Sequence, residues 1–209
     1  FWSNYEEIKT YDNSSVEQKN KFVHECLKES QSKNIIDIGC NTGLYSKIAA
    51  ETISEAKIVS TDFDVGSIDR LYRENSKKLK KDILPLVIDI TNPSPALGWS
   101  GKERQSFLER AKFDNIIALA VIHHMRVHKN IPLQQIVELF KSLTSKNLII
   151  EYVDKEDTMF KRLVAIRKDV FQDYSLENFE KFFKDSFILK KKVQLEMGTR
   201  YLYFFEKKI

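Results

Sequence analysis

The sequence predicts an α/β fold in which a mostly parallel sheet is covered by helices on both faces and closed by an antiparallel hairpin. Short, nearly continuous apolar runs alternate with amphipathic helical patterns along most of the chain, as is typical of buried parallel strands. A glycine-containing turn follows the first apolar run. Two strand-like runs at the C-terminus have no helical pattern between them. With 209 residues, 42% of them hydrophobic, the chain is long enough for one sizeable core.

The predicted elements follow in this order. An aromatic-rich segment leads into a helix over Ser15–Ser30. Five apolar runs predict parallel strands: Asn34–Ile38, Ala56–Asp62, Ile83–Ile90, Phe113–Ile122 and Lys146–Val153. Helical patterns are placed after the first strand, over about Gly66–Lys78, from near Pro132, and over Ser175–Phe183. The closing hairpin comprises Phe187–Glu196 and Thr199–Lys207, with its turn at Met197–Gly198.

Composition excludes several classes of protein. The 34 basic and 30 acidic residues leave a net charge of +4, which argues against a dedicated nucleic-acid binder but leaves a basic patch open. No apolar run approaches a membrane span, and the start lacks a signal-peptide pattern. Two cysteines, Cys26 and Cys40, favour reduced thiols and a cytoplasmic location. Because the sequence begins at Phe1, it could be part of a longer protein with further domains.

The turn after the first strand reads Gly39-Cys40-Asn41-Thr42-Gly43. It does not fit the dinucleotide pattern G-x-G-x-x-G, and no Gly-Lys-Ser/Thr follows that would make a phosphate-binding loop. A compact turn at a helix N-terminus offers free N–H groups and a favourable dipole to a modest anion such as a carboxylate.

Acidic residues stand at the ends of the next two predicted strands. Asp62 ends the second strand, where a carboxylate can accept hydrogen bonds from both hydroxyls of a ribose. Asp89 lies at the end of the third strand between Ile88 and Ile90, which suits an adenine with a flat apolar wall. The implied ligand has a carboxylate, a ribose and an adenine but no phosphate. S-adenosylmethionine has those parts.

Four successive motifs resemble those of class I S-adenosylmethionine-dependent methyltransferases: IDIGCNTG, STDFD, LVIDIT and FDNIIALAVIHHM. The resemblance runs from Asn34 to the C-terminus. It implies a Rossmann-like three-layer sandwich with a seven-stranded sheet of order 3-2-1-4-5-7-6. Residues 34–209 would form the methyltransferase domain, and residues 1–33 an N-terminal part of the same unit. Two longer stretches, NPSPALGWSGKERQSFLERAKFD and IEYVDKEDTM, resemble a bacterial subgroup named after a nodulation host-specificity protein.

The same resemblance assigns the cofactor contacts residue by residue. The residues expected to bind the methionine part are Asp37, Gly39, Asn41 and Gly43, and Cys40 in the same turn is a further cofactor-binding candidate. Asp62 would bind the ribose, Asp89 and Ile90 the adenine, and Phe63 would pack on the adenine ring. This chain has Asn41 where the family carries a further glycine. Asn41 suits the place if its backbone is left-handed, which Asn adopts more readily than most residues.

His123 is the candidate general base, because it follows the fourth strand at the edge expected to hold the methyl group. The alternative is that one of His123 and His124 caps the strand while the other packs in the core. A metal site with His128 and Glu151 is not favoured, since the HHxxxH spacing matches no standard ligand pattern. We therefore expect no metal.

Three further segments remain open to more than one interpretation. Asn92–Trp99 resembles the N-P-P-Y/F element of adenine-N6 methyltransferases but follows the wrong strand, so we interpret it as a stiff lid anchored by Trp99. Glu151–Asp157 could contact the substrate or simply supply surface charge. The aromatic residues Trp2, Tyr5 and Tyr11 could cover the cofactor or dock on the sheet.

Methyl transfer is an in-line displacement that chiefly needs alignment and exclusion of water, which fits the lack of a catalytic triad in the sequence. The predicted function is S-adenosylmethionine-dependent methyl transfer to an undetermined nucleophile on a small molecule, glycan or protein side chain. If the chain is an active methyltransferase, RNA is a less favoured acceptor. The alternative function is an inactive, cofactor-binding module that regulates or scaffolds a larger protein.

Overall fold

The computed structural model describes residues 13–79, 81–165 and 171–208. Its centre is a seven-stranded sheet of order β3-β2-β1-β4-β5-β7-β6, which confirms the predicted topology. The strands are β1 (Asn34–Ile38), β2 (Lys57–Asp62), β3 (Ile83–Val87), β4 (Phe113–Ala118), β5 (Thr144–Val153), β6 (Phe187–Gln194) and β7 (Arg200–Lys207). The first five pair in parallel, and β7 pairs antiparallel with both β5 and β6.

Helices follow most of the parallel strands. They are α1 (Asn13–Ser30), α2 (Leu44–Thr52), α3 (Val65–Glu74), α4 (Phe107–Arg110), α5 (Ile122–His128), α6 (Leu133–Leu143), α7 (Thr158–Val164) and α8 (Leu176–Ser186). A π-helical turn, Asn75–Leu79, extends α3. Trp2, Tyr5 and Tyr11 lie outside the described residues, so both interpretations of that segment stay predictions. None of the helices in the described ranges has the length and apolar character needed to cross a membrane.

Alternation along β1 explains why the sheet is covered on both faces. Ile36 and Ile38 point into one apolar cluster, which also contains Ile136 and Phe140 of α6. Ile35 points into the other cluster, together with residues of α1, α2 and α3. Because successive side chains of a strand face opposite ways, an apolar run such as NIIDI is stable only between two helical layers. The predicted three-layer sandwich follows from this.

Aromatic residues fix the C-terminal hairpin against the sheet. On α8, Phe179 lies 4.9 Å from Tyr203 and Phe183 lies 5.6 Å from Phe205, measured between ring centroids. Both partners are buried residues of β7. This packing holds β7 beside β5, and it sets the position of Arg200 at the start of β7.

Two strands end earlier than the sequence predicts. The last residue of β3, Val87, pairs with Asp62, the last residue of β2, and just beyond it the N–H of Ile88 donates to the carbonyl oxygen of Asp62 at 2.9 Å. On β4 the extended conformation stops before Ala120, whose φ of 55° is left-handed. Consequently Asp89 lies two residues beyond its strand, and His123 lies in α5 rather than directly at a strand end.

Candidate cofactor and acceptor site

Three left-handed residues in five positions shape the turn between β1 and α2. Gly39, Asn41 and Gly43 have φ values of 70°, 50° and 81°. The left-handed conformation expected of Asn41 is therefore confirmed. A Cβ added at Gly39 would lie 2.6 Å from Cγ2 of Val121, so this position also lacks room for a side chain. The turn thus depends on glycine for both conformation and space.

Hydrogen bonds join this turn to the end of β2. The backbone N–H groups of Gly39 and Cys40 donate to the carbonyl oxygen of Thr61 at 2.8 and 3.0 Å. The N–H of Asn41 donates to Oδ2 of Asp62 at 2.9 Å. Burial raises the pKa of Asp62, although backbone N–H donors oppose the shift. A carboxylate has about four lone-pair sites, so Asp62 keeps capacity for ligand hydroxyls.

Asp37 lies behind the turn rather than at its surface. It is 2% exposed, and its Oδ2 accepts the Ser46 hydroxyl at 2.6 Å, while Ser46 accepts the Ser60 hydroxyl at 2.7 Å. Burial raises the pKa of Asp37 to about 7, against the hydrogen bond from Ser46, and the nearby Asp62 raises it further. The side chain therefore holds the first turn of α2 in place.

The candidates for the adenine side lie at the ends of β2 and β3. Phe63 is 60% exposed, whereas Ile90 is buried. Oδ1 of Asp89 accepts the backbone N–H and the hydroxyl of Thr91, and its Oδ2 accepts Nζ of Lys129 at 2.7 Å. Burial would raise the pKa of Asp89, but these hydrogen bonds from Lys129 and Thr91 hold it below its usual value.

A run of imidazoles occupies α5. The ring centroids of His123 and His124 lie 4.1 Å apart, and those of His124 and His128 lie 5.4 Å apart. His123 is buried, and within the described part of the chain its Nδ1 has no hydrogen-bond partner. Burial, with the charges of His124 and Arg200, keeps the pKa of His123 well below its usual value. The His123 ring is therefore neutral at pH 7, and one of its two ring nitrogens can accept a proton.

A buried ionic cluster lies under this edge, and sequence reasoning missed it. Nζ of Lys19 on α1 lies 2.6 Å from Glu151 on β5, and Arg200 lies 3.6 Å from Glu151 and 2.8 Å from Asp157. All four side chains are at most 5% exposed. For Glu151 and Asp157 the surface-charge interpretation is therefore wrong. Asp157 also caps α7 by accepting the N–H of Met159.

The Asn92–Trp99 loop does not match its predicted form. Leu97 and Arg104 pair as a short antiparallel bridge, and a tight turn runs through Trp99–Gly101. Trp99 is 83% exposed, so the prediction that it anchors the loop is wrong. Backbone pairing holds the loop instead. Within residues 13–79, 81–165 and 171–208, no group of three or more His, Cys, Asp or Glu is placed to hold a metal ion.

Comparisons of the sequence agree with this geometry. Residues 36–146 match a family described as "Methyltransferase domain". Over 206 residues the chain is 36% identical to nodulation protein NoeA of Rhizobium meliloti (strain 1021). The alignment covers 99% of this chain and 43% of NoeA, so the chain spans less than half the length of that relative.

Solved structures share the fold at low sequence identity. The N-methyltransferase NodS from Bradyrhizobium japonicum WM9 in complex with S-adenosyl-L-homocysteine superposes with a TM-score of 0.70 at 13% identity, covering 97% of this chain and 92% of NodS. Magnesium protoporphyrin IX methyltransferase from Synechocystis PCC 6803 gives 0.64 at 15% identity, covering 93% and 84%. With the matched family and the predicted sheet order both in place, the chain belongs to the methyltransferase domain family and is a class I S-adenosylmethionine-dependent methyltransferase domain.

Proposed function

We propose that this chain binds S-adenosylmethionine across the carboxyl ends of β1, β2 and β3 and transfers its methyl group to a nucleophile that approaches over α5. The observation that carries the proposal is the hydrogen bond from the N–H of Asn41 to Asp62. It joins the left-handed turn and the strand-end carboxylate into one rigid surface. That surface presents lone pairs of Asp62 to a ribose, beside the N-terminus of α2, where the helix dipole favours a carboxylate.

Each predicted cofactor residue has a distinct part in this proposal. The turn formed by Gly39, Cys40, Asn41 and Gly43 would hold the methionine part. Asp37 would act through Ser46 by fixing the start of α2, because its own carboxylate is buried. Asp62 would bind the ribose. On the adenine side, Asp89 and Ile90 would contact the base and Phe63 would pack on its ring.

His123 is proposed as the group that takes the proton of a hydroxyl or amine acceptor. S-adenosylmethionine supplies an activated methyl group on a positively charged sulfur, and that charge disappears on transfer. A proton gained by His123 therefore replaces one positive charge in the pocket with another. This exchange lets a buried, neutral imidazole with a low pKa act as a base at the moment of transfer. Afterwards the proton must leave before the next turnover.

The proposed acceptor is a small molecule, glycan or protein side chain rather than RNA. The basic run on β6, the clearest candidate for a nucleic-acid surface, is matched by acids. Lys190, Lys191 and Lys192 lie within 2.6–2.9 Å of carboxylates on Glu206, Glu29 and Glu180. A strand of paired lysines offers little net charge to phosphates.

Two further assignments are proposals of the same kind. The free, buried thiols of Cys26 and Cys40 support a reducing, cytoplasmic compartment. Phe22, Val23 and Leu27 of α1 lie in the apolar cluster that also contains Ile35, which supports assigning the described part of the predicted 1–33 segment to the same unit as the sheet.

Calorimetric titration with S-adenosylmethionine and S-adenosylhomocysteine tests the cofactor site. We expect Asp62→Ala to weaken both by at least about tenfold, because a charged acceptor of two hydrogen bonds is lost. The matched control is Asp69→Ala, which removes an exposed acid on α3 that pairs with Arg73. No binding to the wild type would refute the proposal. So would binding that Asp62→Ala leaves unchanged.

Transfer is then measured with tritiated S-adenosylmethionine and fractions of cell extract, before and after nuclease or protease treatment. Label that survives nuclease supports the proposed acceptor classes, whereas label lost to ribonuclease identifies RNA. A protein that binds both ligands but labels no fraction would be the inactive, cofactor-binding module.

A further inference from the structure

The ion pair between Lys129 and Asp89 crosses the cofactor edge of the sheet. Lys129 follows α5, which comes after β4, and Asp89 follows β3. In the sheet, β2 and β1 lie between these two strands. At roughly 4.8 Å per strand, the two attachment points are about 14 Å apart. The 2.7 Å contact between Nζ of Lys129 and Oδ2 of Asp89 therefore joins the two sides of the edge.

The contacts of Asp89 leave it one position for a ligand. A carboxylate has about four lone-pair sites. Among the described residues, the backbone N–H and hydroxyl of Thr91 use two on Oδ1, and Nζ of Lys129 uses one on Oδ2. The remaining site lies on the same oxygen that Lys129 holds. Lys129 thus sets the direction in which that oxygen faces.

Stability alone does not account for this pair. The Lys129 side chain is 48% exposed and that of Asp89 is 32% exposed. Exposed pairs of this kind add little to folding, since screening and lost side-chain entropy offset the attraction. At the proposed ligand-binding edge, the pair therefore matters less for folding than for the orientation of the Asp89 carboxylate, which Lys129 holds by a charge-assisted hydrogen bond.

We propose that Lys129 is a positioning residue for the adenine: it closes the adenine side of the site as a strap from α5 and orients Asp89 to accept the amino group of the base. The inference rests on the proposed function, because it assumes that the site binds an adenosyl ligand. The ion pair between Lys129 and Asp89 would then connect the adenine side of the site to the end of α5, the helix that contains His123. Lys129 itself need not touch the ligand.

Titration calorimetry with two probes, S-adenosylhomocysteine and adenosine, tests the strap without any methyl acceptor. We expect Lys129→Met to weaken both probes by about tenfold, because Asp89 loses its charged partner. Lys129→Arg should restore affinity to within about twofold, since a guanidinium can make the same contact. The matched control is Lys146→Met. In the wild type, Nζ of Lys146 lies 3.3 Å from Asp114 at the other end of the strands, so this substitution should change neither affinity.

A double-substitution cycle separates a positioning role from a general structural one. If Lys129 acts through Asp89, then adding Lys129→Met to Asp89→Asn should change affinity by less than about twofold. Losses that add up in the double variant would overturn the inference, and so would a Lys129→Met protein that binds both probes like the wild type. If the wild type binds neither probe, the proposed function fails and the inference fails with it.

Discussion

At the scale of single residues, the two carboxylates nearest the turn have opposite surroundings. Asp62 is partly exposed and accepts backbone N–H groups, so it can remain an anion that faces a ligand. Asp37 is buried and has the hydroxyl of Ser46 as its close donor. Burial penalises its charged form and raises its pKa to about 7, close to neutral pH. Protonation of Asp37 should therefore affect folding.

Asp37 should make the protein less stable as pH rises from about 4 to 7. Its pKa is about 7 in the folded chain against a usual value of 3.8. Between these values the folded state binds one proton more than the unfolded state, so the free energy of unfolding falls by about 1.4 kcal/mol per pH unit. The difference between wild type and Asp37→Asn, measured by urea unfolding at several pH values, should show this slope and level off above pH 7. Parallel curves would contradict it.

Gly39 should tolerate no side chain. Its φ of 70° costs an L-residue roughly 1–2 kcal/mol, and an added Cβ would meet Val121 at 2.6 Å. We expect Gly39→Ala to lower the free energy of unfolding by about 2–4 kcal/mol in all, as overpacking adds to the backbone term. Adding Val121→Ala should recover the packing part but not the conformational part. Full recovery in the double variant would show that the left-handed backbone carries no cost.

At the scale of elements, α1 is joined to the sheet by buried charge as well as by apolar packing. Lys19 brings an ammonium group to Glu151, and burial would lower its pKa were it not for the charge of Glu151, which raises it. Arg200 and Asp157 continue the cluster into β7 and α7. Such a cluster is stable when complete, and removing one member takes away the closest opposite charge of another buried group.

Lys19→Met should therefore be strongly destabilising. Leaving Glu151 buried without its ammonium partner costs on the order of 3–5 kcal/mol, which urea unfolding will report as a lower midpoint. The control is Lys33→Met, because Lys33 and Glu55 form a pair of similar length, 2.7 Å, whose side chains are 68% and 74% exposed. That midpoint should stay unchanged. Equal effects of the two substitutions would show that burial of the cluster has no energetic weight.

The elements also show what could be read from the sequence and what could not. Apolar runs predicted the strands, because a buried strand leaves a local pattern. The sheet order and the left-handed Asn41 were instead implied by the resemblance to the methyltransferase family. The contacts of Lys19 with Glu151 and of Lys129 with Asp89 leave none. They join residues 132 and 40 positions apart, and nothing in the spacing of a surface-type lysine reveals its partner. The prediction that Trp99 anchors its loop was wrong because a large aromatic residue usually indicates burial, and its neighbours in the sequence do not show whether a partner surface is present.

At the scale of the whole molecule, the proposed site draws on elements from most of the sheet. The turn comes from β1 and α2, the acids from the ends of β2 and β3, and the imidazoles and Lys129 from the segment after β4. A ligand held by residues from several of these elements binds the folded chain and has no equivalent site in the unfolded one. Its binding free energy must then appear as global stability.

S-adenosylhomocysteine should accordingly raise the melting temperature. At a free concentration 100 times its Kd, linkage adds about 2.7 kcal/mol; for a chain of this size each kcal/mol corresponds to about 2–4 °C, so the expected rise is about 5–10 °C. Differential scanning calorimetry on wild type, Asp62→Ala and the exposed control Asp69→Ala would measure it. At the same ligand concentration Asp69→Ala should show the full rise and Asp62→Ala a much smaller one, because the ribose loses its acceptor. A rise that is equal in all three proteins would place the ligand somewhere other than beside Asp62, whereas no rise in any would mean that the folded chain has no site for it.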